Sequence, residues 1–168
     1  EKWRTTTEYD GEKVRVTPPL GGTPTTTTSD AQGHVVERID HLGTDTNAPG
    51  VKTTFGYTPG AGLRAWVKDG EGNTWRYSYD MRGNTTRSED PDKGLPTSTY
   101  DVIGRLATTA DARGQGVAYT YDKLGRVIKT ASLDGTTLTT ASYDNLADGT
   151  TKPGIQTSSS RQVGTAQI

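Results

Sequence analysis

His34 and His41 stand seven residues apart, with Asp40 beside the second and Ser29 upstream of both. Ser, His and Asp are the types that supply a nucleophile, its base and the group that orients the base. Nothing like a nucleophile elbow surrounds Ser29, so the expectation is two surface strand or turn histidines and no enzyme. A second chemistry is suggested by Asp69-Gly70-Glu71-Gly72-Asn73 and Asp90-Pro91-Asp92-Lys93-Gly94. Both offer oxygens at alternate positions, as calcium loops do, but neither has the later bidentate Glu or a full ligand set. They are read as solvated hairpin turns, with no metal and no cofactor. The absence of cysteine removes disulfides, thiolate metal sites and cysteine nucleophiles.

The elements that would position these residues are set by an internal repeat, which is sought before any other pattern. Tyr79-Asp80 is followed by Gly83, Tyr100-Asp101 by Gly104 and Tyr121-Asp122 by Gly125, at a spacing of 21 residues. Tyr57 lies 22 residues before the first and Tyr143-Asp144 lies 22 after the last. Looser copies begin at Asp30-Ala31-Gln32-Gly33-His34-Val35 and at Tyr9-Asp10-Gly11. A second punctuation mark follows in Asp69-Gly-Glu-Gly72, Asp90-Pro-Asp-Lys-Gly94 and Asp111-Ala-Arg-Gly114, so each unit carries two turns.

The turn chemistry is specific. Asp at the first position accepts the backbone N–H two residues on, and Gly at the last supplies positive φ without a Cβ clash. Asp-x-x-Gly between alternating runs is a hairpin signal. Trp75, Tyr77 and Tyr79 alternate with Thr74, Arg76 and Ser78, and Val117, Tyr119 and Tyr121 alternate with Ala118 and Thr120. After the turn, Leu106, Thr108 and Ala110 are expected on one face, opposite Arg105, Ala107 and Thr109. The chain shows no amphipathic helix, so the expected fold class is all-β, built of consecutive hairpins. The Thr run before Asp30 is read as a strand rather than a linker. Residues 1–54 are expected to hold diverged repeats, 55–146 clear repeats of 21–22 residues, and 147–168 a diverged repeat or loop.

Composition bounds the partners. Leu, Ile, Val and Phe number 25 of 168 residues, about 15%, in the range where disorder is suspected. A net charge of −1, eight Tyr and three Trp argue against disorder. Burial would rest on aromatic rings and threonine methyls, with neighbouring structure supplying the remainder. The balanced charge argues against nucleic acid, and no stretch reaches the roughly 18 apolar residues of a membrane helix. The start at Glu1 without Met is expected of a processed or excised piece. Trp3, Trp66, Trp75 and the tyrosines could stack on sugars, although an aromatic at one position per repeat is more simply a repeat core.

Tyr100-Asp-Val-Ile-Gly-Arg-Leu106 and Tyr121-Asp-Lys-Leu-Gly-Arg-Val127 resemble the YD-repeat, or RHS-repeat, family, well over residues 55–145 and loosely over 9–54. The resemblance implies a strip of β-hairpins curving and spiralling into a hollow shell, as in bacterial Rhs, insecticidal toxin-complex and teneurin proteins. It implies a structural wall segment of a secreted or cell-surface shell that encloses a toxin or other cargo. The alternative is a carbohydrate or cell-wall binding module. Partners are then the rest of a larger parent shell or other copies, an encapsulated toxin, or a glycan, without nucleic acid or membrane insertion. The structural residues of the motif are Tyr79, Asp80, Gly83, Tyr100, Asp101, Gly104, Arg105, Tyr121, Asp122, Gly125 and Arg126. Arg105 and Arg126, equivalent after the turn glycine, are expected to pair with acidic groups of the neighbouring hairpin. In bacterial relatives a self-cleaving segment containing Asp-Pro-x-Gly-Leu ends the shell. Asp90-Pro91-Asp92-Lys93-Gly94-Leu95 is one residue longer and lies among repeats, so it is read as an ordinary turn.

Overall fold

The computed structural model describes residues 3–163 and 166–167. They form strands β1 (Thr6–Asp10), β2 (Lys13–Thr17), β3 (Thr25–Ser29), β4 (Val35–His41), β5 (Gly50–Tyr57), β6 (Arg64–Lys68), β7 (Thr74–Tyr79) and β8 (Thr85–Glu89). These are followed by β9 (Thr97–Tyr100), β10 (Leu106–Ala110), β11 (Gly116–Tyr121), β12 (Val127–Ser132), β13 (Thr137–Asn145), β14 (Thr151–Val163) and β15 (Ala166–Gln167). No helix occurs among the described residues, and the fold is all-β. The Thr run is strand β3.

Two compact units divide the chain: one runs to Ser78 and includes Glu89–Asp92, and the other holds Tyr79–Ser88 and everything from Lys93 on. Within each unit, strands adjacent in the chain are adjacent in the sheet and antiparallel, from β1–β2 to β6–β7 and from β8–β9 to β14–β15. Short connections enforce this order, because an antiparallel pair needs only a tight turn whereas a parallel pair needs a long crossover.

Most connections use one geometry. In the turn after β9, the Asp101 amide donates to the Arg105 carbonyl and the Gly104 amide to the Asp101 carbonyl. That is a three-residue hairpin loop ending in a left-handed glycine. Gly83, Gly104 and Gly125 have φ of 85°, 88° and 82°. The turns starting at Asp69 and Asp111 repeat the pattern. So do two turns that Asp-x-x-Gly spacing does not flag, with Ser132 and Leu146 in place of Asp. The β1–β2 hairpin differs, joining Asp10 to Lys13 through Gly11 and Glu12 with φ of 59° at Gly11.

The facial alternation expected after the turn fails at one point, for a physical reason. Register shifts between Leu106 and Thr108, so Leu106 opposes Tyr100 while Thr108 opposes Thr99. Adjacent residues point to opposite faces, so Thr108 lies opposite Leu106 and not beside it. The hydroxyls of Thr99 and Thr108 meet at 2.7 Å. Ala107 is the extra residue of a β-bulge. The same shift recurs where Ser29 pairs with Val35, Tyr57 with Arg64 and Tyr121 with Val127.

The expectation of an aromatic core is also corrected. Among the described residues the buried apolar side chains are Ala131, paired across the sheet with Ala118, and Pro24. Trp3 is 90% exposed and the motif tyrosines are half-buried. A single layer has no second sheet to press rings against, so they lie along the sheet instead.

Gly114 and Gly116 separate two uses of glycine. At Gly114, with φ of 79°, an added Cβ meets nothing within 4 Å, so Gly114→Ala carries only the left-handed backbone term of about 1–2 kcal/mol. At Gly116 a Cβ would sit 1.9 Å from the Thr109 carbonyl oxygen. Urea unfolding should show a larger loss for Gly116→Ala than for Gly114→Ala; equal losses would contradict this backbone approach.

Candidate functional site: the joint between successive Tyr-Asp turns

Each motif aspartate is used within its own turn. Asp101 Oδ1 accepts the amides of Ile103 and Arg105 at 3.0 and 2.9 Å. Asp122 Oδ1 accepts those of Leu124 and Arg126, both at 2.9 Å. Asp80 Oδ1 accepts the amides of Arg82 and Asn84, and its Oδ2 accepts the Asn84 side chain. Hydrogen bonds to the charged form favour it. The Arg105 amide is the main reason the Asp101 carboxyl sits below its ordinary value, and the Arg126 amide does the same for Asp122. For Asp80 the Asn84 side chain leads.

The tyrosines act between repeats. Tyr57 donates its hydroxyl to the Val35 carbonyl, Tyr100 to Thr85, Tyr121 to Leu106 and Tyr143 to Val127, at 2.8 to 3.1 Å. Every acceptor is the second residue after the turn glycine of the preceding repeat. The cause lies in strand pairing. β12 pairs with β13 from Lys129 to Ala131, and β10 with β11 from Thr108 to Ala110, so the carbonyls of Val127 and Leu106 lie past the ladder's end. A part-buried carbonyl needs a donor, and the next repeat's tyrosine provides it.

The residue directly after the turn glycine covers the same ring. The Arg105 guanidinium lies 4.5 Å from the Tyr121 ring centre and that of Arg126 lies 4.3 Å from Tyr143. His34, at the equivalent position, stacks on Tyr57 with ring centres 4.5 Å apart. Each of these side chains is also tethered: Arg105 Nε donates to Asp101 and Arg126 Nε to Asp122, both at 2.7 Å, and His34 Nδ1 lies 3.1 Å from an Asp30 carboxylate oxygen.

The expected arginine pairing therefore needs refinement. Arg126 does reach an acid of the next repeat, donating to both oxygens of Asp144 at 2.9 and 2.6 Å. Arg105 reaches instead the backbone carbonyl of Asp122, at 3.3 Å. The difference arises because Asp144 starts no turn of its own. It has φ of 71°, and the turn shifts to Leu146–Thr150. Its freed carboxylate accepts Arg126 and the Gly154 amide, and the Arg126 contact chiefly lowers its pKa to about 2.

His41 is corrected from surface to buried. Its Nδ1 lies 2.6 Å from the Ala48 carbonyl and its Nε2 2.9 Å from the Thr26 hydroxyl. A carbonyl only accepts, so Nδ1 carries the hydrogen, and the Thr26 hydroxyl pairs with Nε2. His34, at the joint, lies in a different setting from His41, and no shared site brings them together with Ser29. In the Asp69 turn the carboxylate oxygens take the amides of Glu71 and Asn73 and the Asn73 side chain. In the Asp90 turn Asp90 Oδ1 takes the Asp92 amide, with φ of 79° at Gly94. No trio of His, Asp or Glu able to hold a metal occurs among the described residues. Trp66, 37% exposed, lies against Gly56, where a Cβ would come 2.1 Å from its indole nitrogen.

A layer of antiparallel hairpins, joined turn to turn by one recurring contact, defines a β-hairpin repeat protein. Residues 100–137 match the family model of the RHS repeat. Among solved structures, the chain is similar to the crystal structure of TcdB2-TccC3-TEV, with TM-score 0.70 and 18% identity over 84% of this chain. It is similar to a Photorhabdus luminescens Tc holotoxin pore carrying a TccC3 mutation, with TM-score 0.70 and 19% identity over 84% of this chain. It is likewise similar to TcdB2-TccC3 without its hypervariable C-terminal region, at 0.70 and 18% over 84%. The chain spans 8% of the length of each of those chains. No curated protein matches it.

Two measurements address the joint. Tyr121→Phe removes the bond to Leu106 but keeps the ring, and should lower unfolding stability by about 0.5–1.5 kcal/mol. Acid should act through Asp144, whose folded value of about 2 lies below the ordinary 3.8. A depressed carboxyl contributes stability above its unfolded value and loses it as pH falls through the folded one. Thermal unfolding should thus weaken between about pH 4 and pH 2, and Asp144→Asn should flatten that part of the profile. An unchanged acid limb in the variant would contradict this role.

Proposed function

We propose that this chain is a structural wall segment of a secreted or cell-surface RHS-repeat shell that encloses a toxin or other cargo. The observation that carries the reading is the layer of hairpins, alike in fold to TcdB2-TccC3 chains about ten times longer. One hairpin is marginal in water, and stacking successive units is what gives stability. The motif residues Tyr79, Asp80, Gly83, Tyr100, Asp101, Gly104, Arg105, Tyr121, Asp122, Gly125 and Arg126 act as the fastening of the wall. The wall has no catalytic role of its own: His34 is stacked on Tyr57 and bonded to Asp30, and His41 holds Ala48. Its partners are the remainder of a larger parent, other copies and an enclosed cargo. The repeats of 55–146 form its regular part, with diverged repeats over 1–54 and a diverged repeat or loop over 147–168.

The alternative, a glycan or cell-wall binder, draws no support from the repeat tyrosines. The hydroxyls of Tyr57, Tyr121 and Tyr143 are taken by the preceding repeat and one face of each ring is covered.

The test is protease protection in the longest natural chain that contains this sequence. Enclosed cargo should survive digestion until the shell is unfolded by denaturant. Cargo cleaved as fast in the native chain as when free would refute the wall reading.

A further inference from the structure

Aspartate is followed by glycine at Asp10-Gly11, Asp69-Gly70, Asp134-Gly135 and Asp148-Gly149, each at a hairpin turn. A glycine has no Cβ to shield its amide nitrogen from the preceding carboxyl. Attack of that nitrogen on the carboxyl needs a side chain free to swing onto the backbone and an amide not tied to an acceptor. It also needs the protonated carboxyl, because a carboxylate is a poor electrophile.

At the last three positions the turn withholds these conditions. Asp69 Oδ1 accepts the amides of Glu71 and Asn73, and its Oδ2 accepts the Asn73 side chain. The Gly135 amide donates to the Ser132 carbonyl at 2.9 Å and the Gly149 amide to the Leu146 carbonyl at 3.0 Å. Asp134 also accepts the Ser132 hydroxyl and the Thr136 amide, and Asp148 accepts the Thr150 amide. Such bonds favour the ionised form. The Asn73 side chain chiefly lowers the Asp69 carboxyl, the Ser132 hydroxyl that of Asp134 and the Thr150 amide that of Asp148.

Asp10 is held differently. Its side chain is 67% exposed and meets Arg15 at 3.2 Å, an ion pair open to solvent screening. Among the described residues its oxygens accept no turn amide, and the Gly11 amide donates to no backbone carbonyl. Gly11 and Glu12 alone join Asp10 to its partner Lys13.

We infer that Asp10-Gly11 is a modification site, at which the aspartate rearranges to isoaspartate. The Gly11 nitrogen bonds to the side-chain carboxyl carbon of Asp10. The carboxyl hydroxyl leaves with the amide proton as water, and a succinimide ring closes. Water then adds to the former backbone carbonyl of Asp10, breaking its bond to the Gly11 nitrogen, which takes the proton back. The backbone carbon becomes a free carboxylate and the main chain runs on through the side chain, one methylene longer. Water is the sole co-reactant, lost once and regained once. Nothing in the step depends on what the sheet encloses.

The lengthened link falls in a two-residue loop, where register is set by loop length. The pairs Asp10–Lys13 and Tyr9–Val14 lie next to it, and β1 has β2 as its one neighbour in the sheet. β2 remains paired with β3 through Lys13–Thr28 to Val16–Thr25. Isomerisation thus loosens the edge strand and opens the β2 edge behind it.

Incubation of the whole chain in water enriched in heavy oxygen, at mildly acidic pH, tests this by peptide mapping. Each passage through the succinimide replaces one carboxyl oxygen with one from water. The peptide containing Asp10 should take up label several-fold faster than those containing Asp69, Asp134 and Asp148. In urea, where the turns are lost, the sites should label at similar rates. A native chain in which any of the other three keeps pace with Asp10 would overturn the proposal. So would an equal lead for Asp10 in urea, which would assign the rate to neighbouring residues and not to the turns. The isoaspartyl form, separated by chromatography, should exchange its β1 amides faster than the unmodified chain, with β4 unchanged. Unchanged exchange in β1 would refute the loosening of the edge strand.

Discussion

A backbone carbonyl just past the end of a β-ladder must find a donor, and in this protein the next repeat supplies it. Leu106 and Val127 pair within their own hairpins, but the ladder toward the next repeat begins only at Thr108 and Lys129, which leaves their carbonyls unpaired on that side. Tyr121 and Tyr143 reach back to those carbonyls at Leu106 and Val127. Because donor and acceptor belong to consecutive repeats, the same bond that satisfies the backbone fixes the spacing of hairpins. The arginine after the glycine adds a second tie, lying over the ring while holding the aspartate that shapes its own turn. Turn, bulge and joint form one unit, and substituting any member removes the setting of the others.

This explains how a sequence so poor in aliphatic residues makes ordered strands. Its tertiary contacts are polar and local: threonine hydroxyls meet across strands at Thr99–Thr108, Thr130–Thr139 and Thr140–Ser160. The half-buried tyrosines contribute both a ring and a donor, which suits residues that lie partly open. In the first unit the buried pair of Thr26 and His41 plays an equivalent part, fastening the loop through Ala48. Such a layer depends on hydrogen-bond satisfaction more than on an enclosed core, and each unmet group would weigh heavily.

The hairpins were legible because Asp-x-x-Gly encodes its own turn in the side chain and in the glycine φ. The bulges were not, because alternation was assumed to run unbroken from Leu106 to Ala110. The adjacent apolar pair Leu106-Ala107, repeated at Val127-Ile128, is the signal that marks the extra residue. Tyr143-Asp144 has the start of another turn, yet Ala147 stands at the fourth position, and the turn glycine comes two residues later at Gly149. The stacking of His34 on Tyr57 lies 23 residues apart in sequence, beyond any local pattern, although its equivalence to Arg105 and Arg126 is visible in the repeat. The burial of His41 depends on the 42–49 loop folding over it, which no spacing rule reports.

The central claim is that consecutive repeats are coupled through the tyrosine ring and the cation that covers it. A double-mutant cycle on Arg105→Ala and Tyr121→Leu, measured by urea unfolding, tests it most directly. Coupling of about 0.5–1 kcal/mol is predicted for a half-exposed cation over an aromatic face. Strictly additive losses would show that the repeats stand side by side without this joint, and would contradict the account.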